Sequence, residues 1–238
     1  MIVTALIPAR YCATRFPGKL MQPLGGVSVI RRTFEAVKSS GLFGEVVVAT
    51  DSDEIEEEIR SIGGSVFRSQ KSHESGTDRI AEAAIDLNTD LIINIQGDTP
   101  FIKKDPLEKL IRLFNDSSVS VASMMQILEK PEEIDDPNFV KVAIDKKNDA
   151  LFFSRSRIPF PRDTNTAVTY YEHIGVYAFR KQALLDFISW PMGTLEAIEK
   201  VECLRFLENG MTIRMLTVDY LGVEIDTPED LHKAAKLL

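Results

Sequence analysis

The chain has 238 residues, 44% of them hydrophobic and 27% charged, with a formal net charge of −8. That length buries a substantial core, while an acidic balance without a basic stripe excludes a general nucleic-acid binder. Two distant cysteines, Cys12 and Cys203, exclude a disulfide scaffold and a zinc site. No apolar run is long enough to cross a membrane, and the opening Met1-Ile2-Val3-Thr4 is strand-like rather than a basic leader, so a cytoplasmic globular protein is expected.

The apolar run Ile2–Ile7 predicts a first buried strand. It opens into Pro8-Ala9-Arg10-Tyr11-Cys12-Ala13-Thr14-Arg15-Phe16-Pro17-Gly18-Lys19, where Arg10, Arg15 and Lys19 place three fixed cations within ten residues. A loop bearing glycine and proline after a buried strand presents N–H groups to phosphate. A triphosphate of about four negative charges needs its charge-assisted contacts concentrated in such a place; the plainer reading is a solvated basic turn. Cys12 has no histidine nearby and reads as a small buried filler rather than a thiolate nucleophile.

Helical periodicity runs over Val29–Ser39 and stops before Gly41. Val46–Thr50 is the second strand, followed by a helix through Ile62 with Asp51 and Glu54 as its capping box and Gly63-Gly64 as its end. Thr77–Leu87 is a helix, Leu91–Ile95 a strand, and Asp105-Pro106 starts the next helix. This order implies an α/β fold with a Rossmann-like, doubly wound, mostly parallel sheet. Ligands of such sheets gather at the carboxyl ends of the strands, where the cationic loop, Asp51 and Asp98 all fall.

Beyond about residue 118 the pattern changes. Val119–Gln126, Phe139–Asp145, Leu151–Ser154 and His173–Phe179 read as strands, with a turn at Lys146-Lys147-Asn148-Asp149. Residues 155–171 leave the core, as an arm for a partner subunit would. Thr194–Glu208 reads as one helix closed by Asn209-Gly210, and Thr227-Pro228-Glu229-Asp230 opens the last. No linker separates independent domains, so residues 1–238 are expected to form one domain with a smaller mixed lobe.

Several residues are candidates for chemistry. Asn94-Ile95-Gln96-Gly97-Asp98 puts an aspartate at a strand end behind a glycine, suited to hold magnesium or simply to cap a turn. Asp226 is a second such carboxylate, in a stretch that is equally a helix start. If the two meet, Mg2+ on triphosphate oxygens would join them to the cationic loop in one electrophile-activating site. Ser75 caps the following helix or, with the free N–H groups there and Arg79, reads a nucleobase, ribose or phosphate. His173 and Tyr177 share one face of their strand, packed into the core or reading a hydroxylated anionic ligand. Glu196, Glu199, Lys200, Glu202 and Arg205 read as a solvated helix face, with Glu199 and Cys203 one turn apart and able to line one pocket.

These segments together resemble the 3-deoxy-manno-octulosonate (Kdo) cytidylyltransferases, or CMP-Kdo synthetases. The resemblance is carried, in the family's order, by Ile7-Pro8-Ala9-Arg10-Tyr11 with Thr14-Arg15-Phe16-Pro17-Gly18-Lys19, Val48-Ala49-Thr50-Asp51, Ser75-Gly76-Thr77-Asp78-Arg79 and Asn94-Ile95-Gln96-Gly97-Asp98. Phe153-Ser154-Arg155, His173-Ile174-Gly175-Val176-Tyr177, Leu195-Glu196 with Ile198-Glu199, and Asp226-Thr227-Pro228-Glu229-Asp230 continue it. The resemblance implies a fold of the nucleotide-diphospho-sugar transferase type and magnesium-dependent transfer of CMP from CTP to an acidic eight-carbon sugar, for lipopolysaccharide assembly. It implies that residues 1–118 mainly bind CTP and that 119–238 mainly bind sugar and dimerise, with Asp226 returning to the metal. By position, Arg10, Arg15 and Lys19 would contact the triphosphate, with Pro8, Ala9, Ser75, Gly76, Arg79 and Gln96 completing the CTP site. Asp98 and Asp226 would hold Mg2+, and Arg155, Arg157, His173, Tyr177, Glu199, Glu202 and Cys203 would fall in the sugar half. The family's usual state implies a homodimer, with no nucleic-acid or membrane partner.

Departures from the family pattern lie on the sugar side: Thr99 follows Asp98 where glutamate is usual, Ala197 stands for a histidine, and Cys203 for a glutamine. A site tuned to a hydroxyl discriminates strongly, so an 8-amino Kdo or a nonulosonic acid of the sialic type is the alternative acceptor. A sugar-1-phosphate nucleotidyltransferase is disfavoured by the Pro8-Ala9-Arg10 start, and an NAD oxidoreductase by the lack of G-x-G-x-x-G after the first strand. A catalytically inactive nucleotide-binding regulator is disfavoured by the presence of all three loop cations and both aspartates.

Overall fold

All seven residues of β1 (Val3–Ala9) are buried, because strands flank it on both edges and its apolar run has no polar alternation. The computed structural model of the chain describes residues 1–12, 16–71, 73, 75–163, 167–219 and 223–238. After the cationic loop come a short ribbon of β2 (Pro23–Leu24) and β3 (Val27–Ser28) and then α1 (Val29–Ser39). The Ser28 side chain caps α1, accepting from the Arg31 N–H, and Val29, Ile30, Phe34 and Val37 turn inward. Next are β4 (Glu45–Thr50), α2 (Asp53–Ser61) and β5 (Ser65–Arg68). The cap of α2 is Ser52, one residue later than expected; it accepts from the Ile55 N–H, and its hydroxyl donates to Glu54. Asp51 is thereby left to a different partner, described below. Then follow α3 (Gly76–Ala84), β6 (Leu91–Asn94) and α4 (Lys104–Arg112). The strands lie in the order β6-β1-β4-β5, all parallel, so their carboxyl ends lie side by side.

The described residues cluster into two compact units, Met1–Glu108 with Leu221–Leu238, and Lys109–Tyr220. The second begins about ten residues before the change of pattern near 118. Arg180 explains this, since its guanidinium donates to the carbonyls of Phe114, Asp116 and Val119 and ties that stretch to the second unit.

The second unit contains β7 (Val121–Leu128), α5 (Pro131–Asp135), β8 (Lys141–Ile144), β9 (Ala150–Ser154), β10 (Tyr170–Arg180), α6 (Lys181–Ser189), α7 (Thr194–Glu199), α8 (Leu204–Glu208) and β11 (Arg214–Thr217). Here β7 pairs parallel with β11 and antiparallel with β10, whose ladder is interrupted by a bulge between Ile174 and Tyr177. The single helix expected over Thr194–Glu208 is two helices. Lys200 adopts φ 54°, donates its N–H to the Glu196 carbonyl, and ends α7. In a straight helix residues nine apart point to opposite sides. The break instead lets Glu196 and Arg205 meet in a buried pair with two bonds of 2.7 Å. Arg205 also lies 3.9 Å over the Phe187 ring. These two residues are therefore core, and the expected solvated face is corrected by burial. The chain then returns to the first unit, where Thr227 and Asp230 form a reciprocal capping box on α9 (Pro228–Ala235).

Candidate active site

At Gly18 the loop after β1 reverses with φ 68°, a conformation open to glycine without a Cβ penalty. Its N–H donates to the Tyr11 carbonyl at 3.0 Å, and the Lys19 N–H to that of Phe16 at 3.2 Å. The reversal sends the Lys19 ammonium to the carboxyl ends of the strands, where it bonds Asp98 Oδ2 and, at 2.7 Å, Asp226 Oδ1. The three side chains are 14%, 16% and 32% exposed, respectively. Burial alone would lower the pKa of Lys19, but the two carboxylates outweigh it and hold the pKa above its ordinary value. The residue stays charged.

Two local features place Asp98. A Cβ on Gly97 would lie 3.1 Å from Ile30, 3.2 Å from Leu20 and 3.2 Å from the Pro8 carbonyl, so the turn packs this tightly because the residue is glycine. Thr99, fully buried, donates to the Gln96 carbonyl at 2.7 Å and closes the turn. Asp226 is brought in by the Ile225 N–H, which donates to the Asp98 carbonyl at 3.0 Å. Two carboxylates thus converge on one positive atom. A hard oxygen-donor pair of this kind fits Mg2+, which is commonly held by one or two carboxylates plus substrate phosphates. Among the described residues no group of three or more His, Cys, Asp or Glu is arranged to hold a metal alone.

The nucleotide-side candidates divide by exposure. Gly76 sits against Pro8 and Gln96, since a Cβ there would meet Pro8 Cγ at 3.3 Å and Gln96 Oε1 at 3.7 Å; Ala9 is buried beside them at the end of β1. Ser75 caps α3, accepting from the Asp78 N–H at 3.0 Å and donating to its carboxylate at 2.8 Å. Arg79 is buried, donating to Asp51 at 2.8 Å and Ser69 at 3.2 Å. Burial works against the ionised Asp51, yet the bond and charge of Arg79 keep its pKa below the usual value. Arg10 is exposed, with no ion pair to a described residue, and Arg15 lies outside the described residues. Cys12 is exposed, which corrects the expected buried filler.

In the second unit, the Glu199 carboxylate accepts from the Ser154 hydroxyl at 2.7 Å and the Arg155 N–H at 2.9 Å. The Arg155 guanidinium donates to the carbonyls of Glu199 and Pro137. Both groups thus hold the corner after β9. Arg157 bonds the Tyr170 hydroxyl at 2.8 Å and lies over its ring. His173 packs between Phe153 and Tyr177, with ring centroids 5.0 and 5.2 Å away. Cys203 is 1% exposed and hydrogen-bonded to Tyr177, and burial pushes its thiol pKa strongly up. It stands on the far side of the helix break from Glu199, so the two do not share one helical face as the sequence suggested. Glu202 is half-buried in the turn before α8.

A pattern for the cytidylyltransferase family matches residues 4–213. The 3-deoxy-manno-octulosonate cytidylyltransferase of Flavobacterium johnsoniae is 52% identical over 100% of this chain and 99% of its own. The chain belongs to the Kdo cytidylyltransferase family. A relative of the same name from Christiangramia forsetii is also 52% identical, over 99% of this chain and 96% of its own. Among solved structures, a CMP:2-keto-3-deoxy-manno-octonic acid synthetase complexed with CTP superposes with a TM-score of 0.94 at 34% identity, covering 100% of this chain and 98% of that one.

Some polar groups of this cytidylyltransferase escaped the sequence reading. Glu172 accepts from Gln126 Nε2 at 2.6 Å, and burial raises its pKa above the usual carboxylate value. Lys141 is completely buried and donates to the carbonyls of Asp136 and Phe139. Ser123 lies in the core beside His173. The only signal for these was a polar residue inside an otherwise apolar strand, which commonly marks nothing more than an exposed face.

Proposed function

We propose that the protein transfers CMP from CTP to Kdo, giving CMP-Kdo and pyrophosphate. The observation that carries this reading is the convergence of Lys19, Asp98 and Asp226 at the carboxyl ends of the parallel strands, beside the Pro8-Ala9-Arg10 start of the loop. The anomeric hydroxyl of Kdo attacks the α-phosphorus of CTP, and its proton leaves to solvent. The bond from that phosphorus to the oxygen bridging to the β-phosphate breaks, and pyrophosphate departs with the electron pair. Arg10, Arg15 and Lys19 hold the departing phosphates, where charge-assisted contacts count most as charge accumulates. Asp98 and Asp226 would hold Mg2+, which when bound would supply charge neutralisation at phosphate and lower the pKa of a coordinated oxygen. Gly76, Gln96 and Pro8 line the nucleotide, and Ser75 and Arg79 shape that wall from behind. In the second unit Arg157, His173, Tyr177 and Glu202 face the sugar, while Arg155, Glu199 and Cys203 support them.

The same reading makes the protein a cytoplasmic homodimer that meets its partner through the part of the expected 155–171 arm that precedes β10, where Phe160 is 81% exposed and residues 164–166 lie outside the described residues. The deciding experiment is pyrophosphate release from CTP with Mg2+ against Kdo, 8-amino Kdo and a sialic acid. Stoichiometric pyrophosphate and CMP-sugar with Kdo are expected. Release with another acid but not Kdo overturns the choice of acceptor, and release with none overturns the activity.

A further inference from the structure

Ser123 is completely buried on β7, and its hydroxyl oxygen sits among three polar atoms of β10. It lies 3.1 Å from the Ile174 carbonyl oxygen, 2.9 Å from that of Val176, and 3.1 Å from His173 Nε2. The bulge between Ile174 and Tyr177 interrupts the β7–β10 ladder and turns these carbonyls toward the hydroxyl. A carbonyl oxygen only accepts, and a serine hydroxyl has one hydrogen. Donating that hydrogen to His173 would leave both carbonyl oxygens against hydroxyl lone pairs at 2.9 and 3.1 Å, so it goes to a carbonyl, and a lone pair of Ser123 Oγ faces His173. The imidazole is neutral, because burial pushes its pKa down to about 4, so it has one N–H to place. Only Nε2–H satisfies the contact with Ser123; a bare Nε2 would set two lone pairs against each other. His173 Nδ1 bonds no described residue.

We propose that Ser123 is a positioning residue that fixes His173 as the Nε2–H tautomer, so that Nδ1 offers a lone pair to a hydroxyl of the acceptor sugar. The opposite tautomer would present an N–H and suit the sugar carboxylate, so the assignment decides which part of a polyhydroxy acid this histidine reads. It rests on the reading of His173 as a sugar contact. An acceptor aimed at a hydroxyl rejects an analogue in which that hydroxyl is absent or methylated, since the nitrogen, covered by the bound sugar, then goes unpaired.

The test is nitrogen-15 NMR of the histidine-labelled protein without ligands, the three histidines being assigned with His173→Gln. A protonated Nε2 and an unprotonated Nδ1 are expected for His173 at neutral pH. A protonated Nδ1, or an imidazolium, overturns the proposal, and wild-type protein alone suffices for this arm. In Ser123→Ala the spectrum should show both tautomers, and the Michaelis constant for Kdo should rise about two- to tenfold with that for CTP unchanged. Equal rises for both substrates, or an unaltered spectrum, count against it. Absence of pyrophosphate release with Kdo in the wild type would instead sink the proposed reaction and leave the tautomer result standing.

Discussion

Lys19 serves two carboxylates with one ammonium, and that geometry makes Asp98 and Asp226 a unit. Asp98→Asn and Asp226→Asn should each lower turnover by at least ~10²-fold with the fold intact, because each removes a formal charge from the site where phosphate charge must be balanced. Steady-state rates at saturating Mg2+, with circular dichroism as the control, check this; near-normal turnover in either variant removes that residue from the site. Cys203 leads to a different expectation. Its thiol lies in the core under Tyr177, so Cys203→Gln should bury an amide at a cost of about 1–3 kcal/mol and leave the ratio of Kdo to 8-amino Kdo turnover unchanged. A changed ratio without loss of thermal stability would place this position in direct contact with sugar. Both aspartates were legible in the sequence, as a strand end behind glycine and a helix start. That Lys19 would join them was not, because the contact spans 207 positions of chain for Asp226. Arg79 and Glu199 were legible as charges in motifs. Their actual partners, Asp51, Ser69, Ser154 and the Arg155 backbone, depend on packing between elements.

Two short helices stand where periodicity alone suggests one, and the pair is locked from both ends. Glu208 of α8 accepts from the N–H groups of Leu195 and Glu196 at the start of α7, at 2.9 and 3.2 Å. Glu196 returns the contact through Arg205. Removing one partner of a buried ion pair strands the other charge, so Arg205→Leu should cost about 3–5 kcal/mol in urea unfolding. The double variant Glu196→Met with Arg205→Leu should recover most of that loss, since apolar replacement of a whole buried pair is often neutral. If the double variant is no better than the single one, ring stacking of Arg205 on Phe187, rather than charge, holds these helices. The helical pattern holds for Glu196 and Glu199 within α7 but not for Cys203, which lies beyond the break. The break at Lys200 was missed because a left-handed lysine is a tertiary compromise that no local propensity announces.

At the scale of the molecule, acid should weaken the fold in a particular window. His173 titrates near 4 in the folded chain against 6.5 when exposed. Between those values the unfolded chain binds the proton that the folded chain refuses. The contribution is therefore complete above about pH 6.5 and lost progressively as pH falls toward 4. Urea unfolding at about pH 5 and about pH 7.5 should show a smaller pH dependence in His173→Gln than in the wild type; equal slopes would mean that other groups set the acid response. The parallel half of the fold was largely readable, because buried parallel strands and capped helices leave strong local signals. The second unit was readable as a run of strands and one helical stretch. Its short elements β11 and α5 and the tie of Arg180 to residues 114–119 come from contacts rather than pattern.

The return of the chain to the first unit sets a timetable. The loop cations and Asp98 are all made before the second unit begins, whereas Asp226 and the Ile225 N–H that docks it follow only after that unit is finished. Segments emerge from the ribosome in order and fold largely as they appear. On the proposed reading, a nascent or prematurely terminated chain that stops short of Asp226 carries the loop cations and Asp98 without the second carboxylate, and should bind CTP more readily than it turns CTP over.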